Sequence, residues 1–363
     1  MEDKVISAVR EFAHSIKSGG KVVADMSALI DATSQLSLSN FDYWERLIRT
    51  EFSLVMREDA PSKWKLWSKP TEILTWLDLT SWDGYKREKT LRTISGAAPN
   101  TFFLSLAIRR LNDWVPQVRE AARDKLLYLA KATNPEYVVE ALCIVLSNWN
   151  SWGRIEVADK EVLLQIISED KIADALGNKI ISSTSGPMTS LFSQLGRTSI
   201  LDDKVEKIAK CAMQPSLRAK AYRSLFDRKI TWIEGRKWVW TDIRYCEGRL
   251  RPVVSEREIT VKATLLDLVK ISAEDRSSVV RRVSAEILIR EIESLGGIAR
   301  NLAEQFSADK SEAVAERGRF AIKKLEESER ASASLQAQSV GTPFRSFVTT
   351  RRPQLRALYV SQG

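Results

Sequence analysis

The chain of 363 residues has one histidine, His14. That scarcity excludes whole classes of chemistry. Ser-His-Asp and Cys-His nucleophiles and histidine-based metal centres all need imidazoles that this sequence does not supply. There are three cysteines, Cys143, Cys211 and Cys246, and they lie far apart in the chain. With a lone histidine they assemble no Cys/His zinc cluster, and they read as ordinary reduced thiols. No run approaches the roughly 18 apolar residues that span a bilayer. The opening Met1-Glu2-Asp3-Lys4 lacks the pattern of a secretory signal, so the expected location is cytoplasmic. His14 itself falls beside Phe12 and Ala13 in an expected amphipathic helix, at a surface or half-buried position. No catalytic residue, cofactor ligand or metal ligand is assigned.

Charge is plentiful and unbalanced. Fifty-six basic residues against 47 acidic ones give a formal net charge of +9. Such an excess suits an acidic partner, whether nucleic acid or an acidic protein face, and equally serves solubility.

A frame of residues recurs. Asp113, Val118, Arg119 and Ala122 return as Asp275, Val280, Arg281 and Ser284, and more weakly as Asp309, Val314, Ala315 and Gly318. Pro215, Leu217, Arg218 and Ala221 keep the proline and arginine but lose the aspartate, and Arg87, Thr90 and Ile94 match the later part. The arginines are spaced by about 32–34 residues or multiples of it, the scale of a helix-turn-helix repeat. Each position has a physical reason. The aspartate caps the second helix, which stabilises it by about 0.5–2 kcal/mol. Pro116 opens that helix, where no N–H is missed. Ala122 allows close helix approach.

The stretch Leu111–Ala122 resembles the HEAT-repeat (armadillo-type) family of α-solenoids, although HEAT units usually run nearer 40 residues. The resemblance implies an all-α superhelix that binds partners and performs no reaction of its own. It also implies a ladder in which the arginine of one repeat reaches the aspartate of its neighbour, here Asp113, Arg119, Arg218, Asp275 and Arg281. HEAT-like solenoids include alkylpurine-DNA glycosylases, which hold DNA in a basic groove and use an acidic residue with aromatic partners. Asp113-Trp114 is the pair in this chain that invites that comparison, and the inter-helix cap accounts for its aspartate as well.

Five regions follow. Residues 1–80 form an expected helical cap dense in tryptophan (Trp44, Trp64, Trp67, Trp76), with Trp82 just beyond. Residues 81–228 and 260–328 hold the repeats, with degenerate helix pairs between 135 and 213. Residues 329–363 read as a linker followed by a basic tail with Arg345, Arg351, Arg352 and Arg356.

The fifth region, 229–259, breaks the helical period. β-Branched and aromatic residues replace it, and Glu-Gly-Arg occurs twice, at 234–236 and 247–249. Read as turns, these tripeptides predict a small β-meander of three strands inserted in the repeats. Trp232, Trp238, Trp240 and Tyr245 alternate there with Arg236, Lys237, Arg244 and Arg249, a composition suited to a partner. Two occupants follow: a protein partner, or nucleic acid. The plainer arrangement has the tryptophans packed onto the helices and the cations in water. Whether Arg123, Lys125, Arg282 and Arg290 share a face with the meander cations discriminates between the partners.

Overall fold

The computed structural model describes residues 1–17, 25–57 and 74–340, the last nine as backbone alone. Trp64, Trp67 and the basic tail after residue 340 lie outside the described residues. Among those described, the chain is mostly helical, with one small two-stranded antiparallel sheet. The helices are α1 (Glu2–Lys17), α2 (Ser27–Ser34), α3 (Phe41–Arg57), α4 (Gly84–Thr93), α5 (Thr101–Arg109), α6 (Pro116–Ala132), α7 (Pro135–Asn148) and α8 (Val157–Ile167). They continue as α9 (Asp170–Ser182), α10 (Met188–Leu195), α11 (Val205–Cys211) and α12 (Pro215–Asp227). Strands β1 (Lys229–Asp242) and β2 (Glu247–Glu258) follow, then α13 (Leu265–Ala273), α14 (Ser278–Arg290), α15 (Ile298–Ser307) and α16 (Glu312–Val340). Two compact units result, 1–284 and 285–363, whose boundary falls within α14.

Local chemistry sets the helix starts. Pro116, Pro135 and Pro215 each occupy the first turn of a helix. Asn134 and Thr264 are N-caps that accept the backbone N–H of Glu136 and of Asp267, whereas Asp113, expected to cap α6, instead accepts the N–H of Val115 and closes the turn ahead of that helix. In α6, Val118, Ala121, Ala122, Leu126 and Leu129 form the buried stripe. α5 is buried all round from Thr101 to Ile108, because α2, α6 and α7 enclose it.

Packing alternates along the 1–284 unit. α4 packs on α6 and α6 on α8, while α5 packs on α7 and α7 on α9. Before them, α1 packs on α2 and α3, and Trp44 and Trp76 belong to the core. In the second unit α15 lies against α16. The segment expected to be a linker from residue 329 is helical as far as Val340.

The expected three-stranded meander is corrected to a single hairpin. β1 and β2 pair from Lys229↔Glu258 to Asp242↔Glu247, and the chain turns at Ile243–Cys246. The first Glu-Gly-Arg makes no turn. It forms a β-bulge, with the register shifting between Ile233 and Gly235. The second opens β2.

The small residue of the frame does its work most sharply at Gly318. A Cβ there would lie 2.2 Å from Ser307 N and 2.5 Å from Phe306 C, both backbone atoms of α15. Gly318→Ala gains about 1 kcal/mol of helix propensity but forces two backbones apart. The expected net result is a loss of about 1–3 kcal/mol, read by chemical denaturation with amide exchange over 285–331. An increase in stability would show that α15 and α16 do not approach this closely.

Candidate functional site

The recurring arginines close their own turns first. Arg87 donates to the carbonyl of Ser81, Arg119 to that of Asp113, Arg218 to that of Ala212 and Arg281 to that of Asp275, each six residues back. The other edge of the guanidinium then reaches forward. Arg87 holds Asp113 bidentately (Nε–Oδ2 2.8 Å, Nη2–Oδ1 2.7 Å), and Arg218 holds Asp275 likewise at 2.8 Å on both arms. Arg119 departs from the expected pairing, because its forward partner is Glu156 at 2.6 Å. Each aspartate also caps its turn, Asp113 on Val115 N and Asp275 on Ser277 N. Arg87, Asp113 and Arg218 are buried, so these charges survive only because every donor and acceptor is matched.

One number ties the hairpin to this frame. Arg87 and Asp113 are 26 residues apart, while Arg218 and Asp275 are 57 apart, a difference of 31. That is the length of the segment 229–259. The two contacts thus differ in sequence separation by the length of the hairpin segment.

At the first of these pairs the charges multiply. Glu45 on α3 accepts Arg49 (2.8 Å), Arg109 (3.1 Å) and Arg110 (2.7 Å), and Arg110 also reaches Asp113 at 3.3 Å. Burial pushes the Glu45 carboxyl up, but Arg110, Arg109 and Arg49 outweigh it and hold it below the ordinary carboxylate value. Burial likewise lowers the Arg110 guanidinium from its ordinary value, against the pull of Glu45 and Asp113. A cleft of about 390 Å³ opens over this network, with Trp82, Trp114 and Arg154 also on its wall. Both oxygens of Asp113 are occupied by Arg87, Arg110 and Val115, which leaves no free lone pair aimed at a substrate. The Asp113-Trp114 pair thus has the geometry of a structural clamp.

The hairpin is seated firmly at its base. Ile230 is fully buried against Gly196, where a Cβ would come within 2.1 Å of the Ile230 Cγ2. Arg197 lies over the rings of Trp149 (5.0 Å) and Trp232 (5.4 Å) and pairs with Glu234 at 2.6 Å. Glu234 is the bulge residue and also accepts the Trp232 indole N–H at 2.9 Å. The neighbouring Ile233 carbonyl accepts Asn150 at 3.0 Å and Arg197 at 3.3 Å. Arg257 holds Asp202 bidentately (2.8 and 2.6 Å) and donates to the Gly196 and Thr198 carbonyls.

Beyond the bulge the hairpin presents two different faces, since side chains alternate along each strand and directly opposed residues share a side. Trp238 and Trp240 face Leu250 and Gly248, with Arg236 and Pro252 next along. Val254 and its partner Ile233 continue this strip toward the base. Lys237 and Val239 lie on the other face with Arg251 and Arg249. Trp238 and Trp240 meet edge to face at 5.6 Å, and Trp238 lies so close over Gly248 that a Cβ there would be 2.5 Å from its indole nitrogen. The two glycines of the repeated tripeptide therefore act differently: Gly235 sits at the bulge and Gly248 seats a tryptophan.

The apolar strip is open. Exposure runs from 43 % at Ile233 to 58 % at Leu250, with Trp238 at 49 % and Trp240 at 52 %. Only Trp232 follows the expectation that the tryptophans pack onto the helices. Arg244 and Tyr245 are exposed in the turn. Arg236, Lys237, Arg244, Arg249 and Arg251 form no ion pair with any described residue, whereas Arg123 pairs with Asp159 and Lys125 donates to the Arg92 carbonyl. Sequence reasoning missed Arg49, Arg109, Arg110, Arg197 and Glu45, none of which stands in the repeating frame. Burial raises the Cys143 thiol to about 11, while Cys211 and Cys246 are exposed; His14 is exposed on α1.

Removing a buried partner strands the other. Arg87→Ala and Arg218→Ala are each expected to cost about 3–5 kcal/mol, whereas Glu156→Ala, which removes an exposed arm of Arg119, costs at most about 1 kcal/mol. Urea denaturation of the three variants checks the order; equal losses would show that burial of the clamp does not matter.

Among the described residues no helix is long and apolar enough to cross a membrane, and no group of three or more His, Cys, Asp or Glu is placed to hold a metal ion. Comparison with protein families, with curated proteins and with solved structures finds no match.

Proposed function

We propose that this chain is a non-enzymatic interaction module: a HEAT-like stack of helix pairs that presents the 229–259 hairpin to a protein partner. The observation that carries the reading is the exposed strip of Ile233, Trp238, Trp240, Leu250, Pro252 and Val254 on a firmly anchored hairpin. A contiguous exposed apolar patch on a rigid element is the mark of an interface. Tryptophan and arginine are the side chains that most often dominate interface energetics. The cations flanking the strip select a partner whose apolar groove is bordered by carboxylates. The repeating Arg–Asp clamps and the skip packing of the helices support the stacked architecture, and the seat at Gly196, Arg197 and Arg257 reduces the ordering cost of binding.

A second reading has support from one feature. The face with Lys237, Arg249 and Arg251 bears unpaired cations on a two-stranded ribbon, a shape that fits the major groove of duplex DNA. It leaves the apolar strip on the opposite face without a role, so the protein partner stands first.

The two readings predict different variants. For a protein partner, Trp238→Ala with Trp240→Ala weakens binding by about 2 kcal/mol or more, and the exposed Cys246 in the hairpin turn is protected from alkylation in the complex. For nucleic acid, Lys237→Glu with Arg251→Glu abolishes binding, the tryptophan pair matters little, and affinity falls steeply with salt. Affinity capture followed by titration of the purified partner, beside DNA and RNA titrations at two salt concentrations, decides between them. A partner bound equally well by the tryptophan variant and by wild type would refute the proposed interface.

A further inference from the structure

The cleft over the Glu45 network lies more than 70 residues upstream of the hairpin in sequence and is not used by the reading above. Its wall carries five guanidinium groups, from Arg49, Arg87, Arg109, Arg110 and Arg154, against two carboxylates, Glu45 and Asp113. Asp42, just outside the cleft, also pairs with Arg109, so internal pairing leaves two more guanidinium groups than carboxylates. Two of these groups have unused donors. The Arg49 Nε is buried and donates to no atom of the described residues. The exposed side chain of Arg154 makes no hydrogen bond or ion pair with any described residue.

Two aromatic rings share that wall, and both stay open. Trp82 is 67 % exposed and Trp114 is 66 % exposed, although each has an arginine against its ring: Arg49 at 4.5 Å from Trp82 and Arg87 at 5.8 Å from Trp114. A core tryptophan would be covered, as Trp149 is. A large aromatic surface on a wall with more guanidinium groups than carboxylates suits a ligand that combines a flat ring with an anion. At about 390 Å³ the cleft falls in the range of roughly 300–1,000 Å³ typical of small-molecule sites. It adjoins a larger groove of about 580 Å³, with which it shares Arg109 and Asn112 and which is lined further on by Tyr43, Arg46 and Trp152.

We infer that this cleft binds a nucleoside phosphate, with the base stacked on Trp82 or Trp114 and the phosphate held by the exposed Arg154. The same chemistry is offered by a free nucleotide and by one unit of a single strand whose neighbours continue along the groove toward Arg46 and Tyr43. Asp113 and Glu45 hold the arginines in place and touch no ligand.

Titrations of the full chain with AMP, adenosine, inorganic phosphate and a ten-nucleotide oligoadenylate test this, read by tryptophan fluorescence and calorimetry. AMP is expected to bind saturably, with adenosine and phosphate each at least about tenfold weaker. Trp82→Ala or Trp114→Ala lowers AMP affinity by at least about fivefold, the lower end of what stacking on one base contributes. Arg154→Ala weakens AMP but leaves adenosine unchanged, a split that general loss of structure would not produce. All three side chains are exposed, and an unchanged melting temperature verifies folding. An oligoadenylate that binds much more tightly than AMP identifies the strand as the source, and equal affinities identify the free nucleotide. The inference is overturned if AMP shows no binding below about 1 mM, if phosphate alone binds as tightly as AMP, or if the tryptophan and Arg154 variants bind AMP like wild type. The Trp238 and Trp240 variants of the hairpin leave this site unaffected, so the two proposals stand or fall separately.

Discussion

A buried arginine with two tasks holds the helical part of this chain in register. One edge of the guanidinium closes the turn that starts its own helix, through the carbonyl six residues back. The other edge grips the aspartate that caps the equivalent turn further along. Arginine is the one side chain able to do both, because its planar fork has enough donors for a bidentate carboxylate and for carbonyls on its other side. The cost of burying it is large, so the clamp tolerates no half measures: cap, carbonyl and carboxylate are all present at Arg87 and at Arg218. Where the forward partner is an exposed glutamate, as at Arg119, the arginine itself is less enclosed.

The clamp also explains what the sequence made legible. Aspartate, proline, arginine and a small residue recur in fixed order because each answers a local demand, and local demands leave a local trace. The helices between 135 and 213 were legible for the same reason, from their apolar spacing. The partner of Arg218 was not, because the hairpin separates it from Asp275 in sequence while leaving the contact intact. The three-stranded expectation failed at Glu234–Arg236 for a related reason. A glycine between two charged residues reads as a turn, yet here Arg197, on the loop after α10, pulls Glu234 out of register and makes a bulge. Nothing within β1 itself announces that pull.

The cluster around Glu45 shows a further limit. Arg49, Arg109 and Arg110 look like ordinary surface cations in a helical pattern. They converge only because α3 packs beside the turn that Asp113 caps, a juxtaposition set by the fold. Trp82 likewise reads as a neighbour of the tryptophan-dense cap, whose Trp44 and Trp76 are core residues, while Trp114 reads as part of the Asp113 turn. Helical spacing separates buried from exposed positions within a helix, but both exposed tryptophans sit in inter-helix segments, where that periodicity has no meaning.

Charge compensation is the most general feature that sets the two proposed sites apart from the rest of the chain. A protein with 56 basic and 47 acidic residues has ample means to neutralise itself. Much of the chain does so, between its helices, turns and hairpin base, as in Arg87–Asp113, Arg123–Asp159, Arg218–Asp275 and Arg257–Asp202. Cations with no ion pair among the described residues share the hairpin beyond its bulge with exposed tryptophans, and Arg154 shares the cleft with the exposed Trp82 and Trp114. Solubility alone asks for charge but not for exposed tryptophan, and core packing asks for tryptophan but not for unpaired charge. The two together, on elements fixed by buried contacts beneath them, are what recognition of another molecule requires.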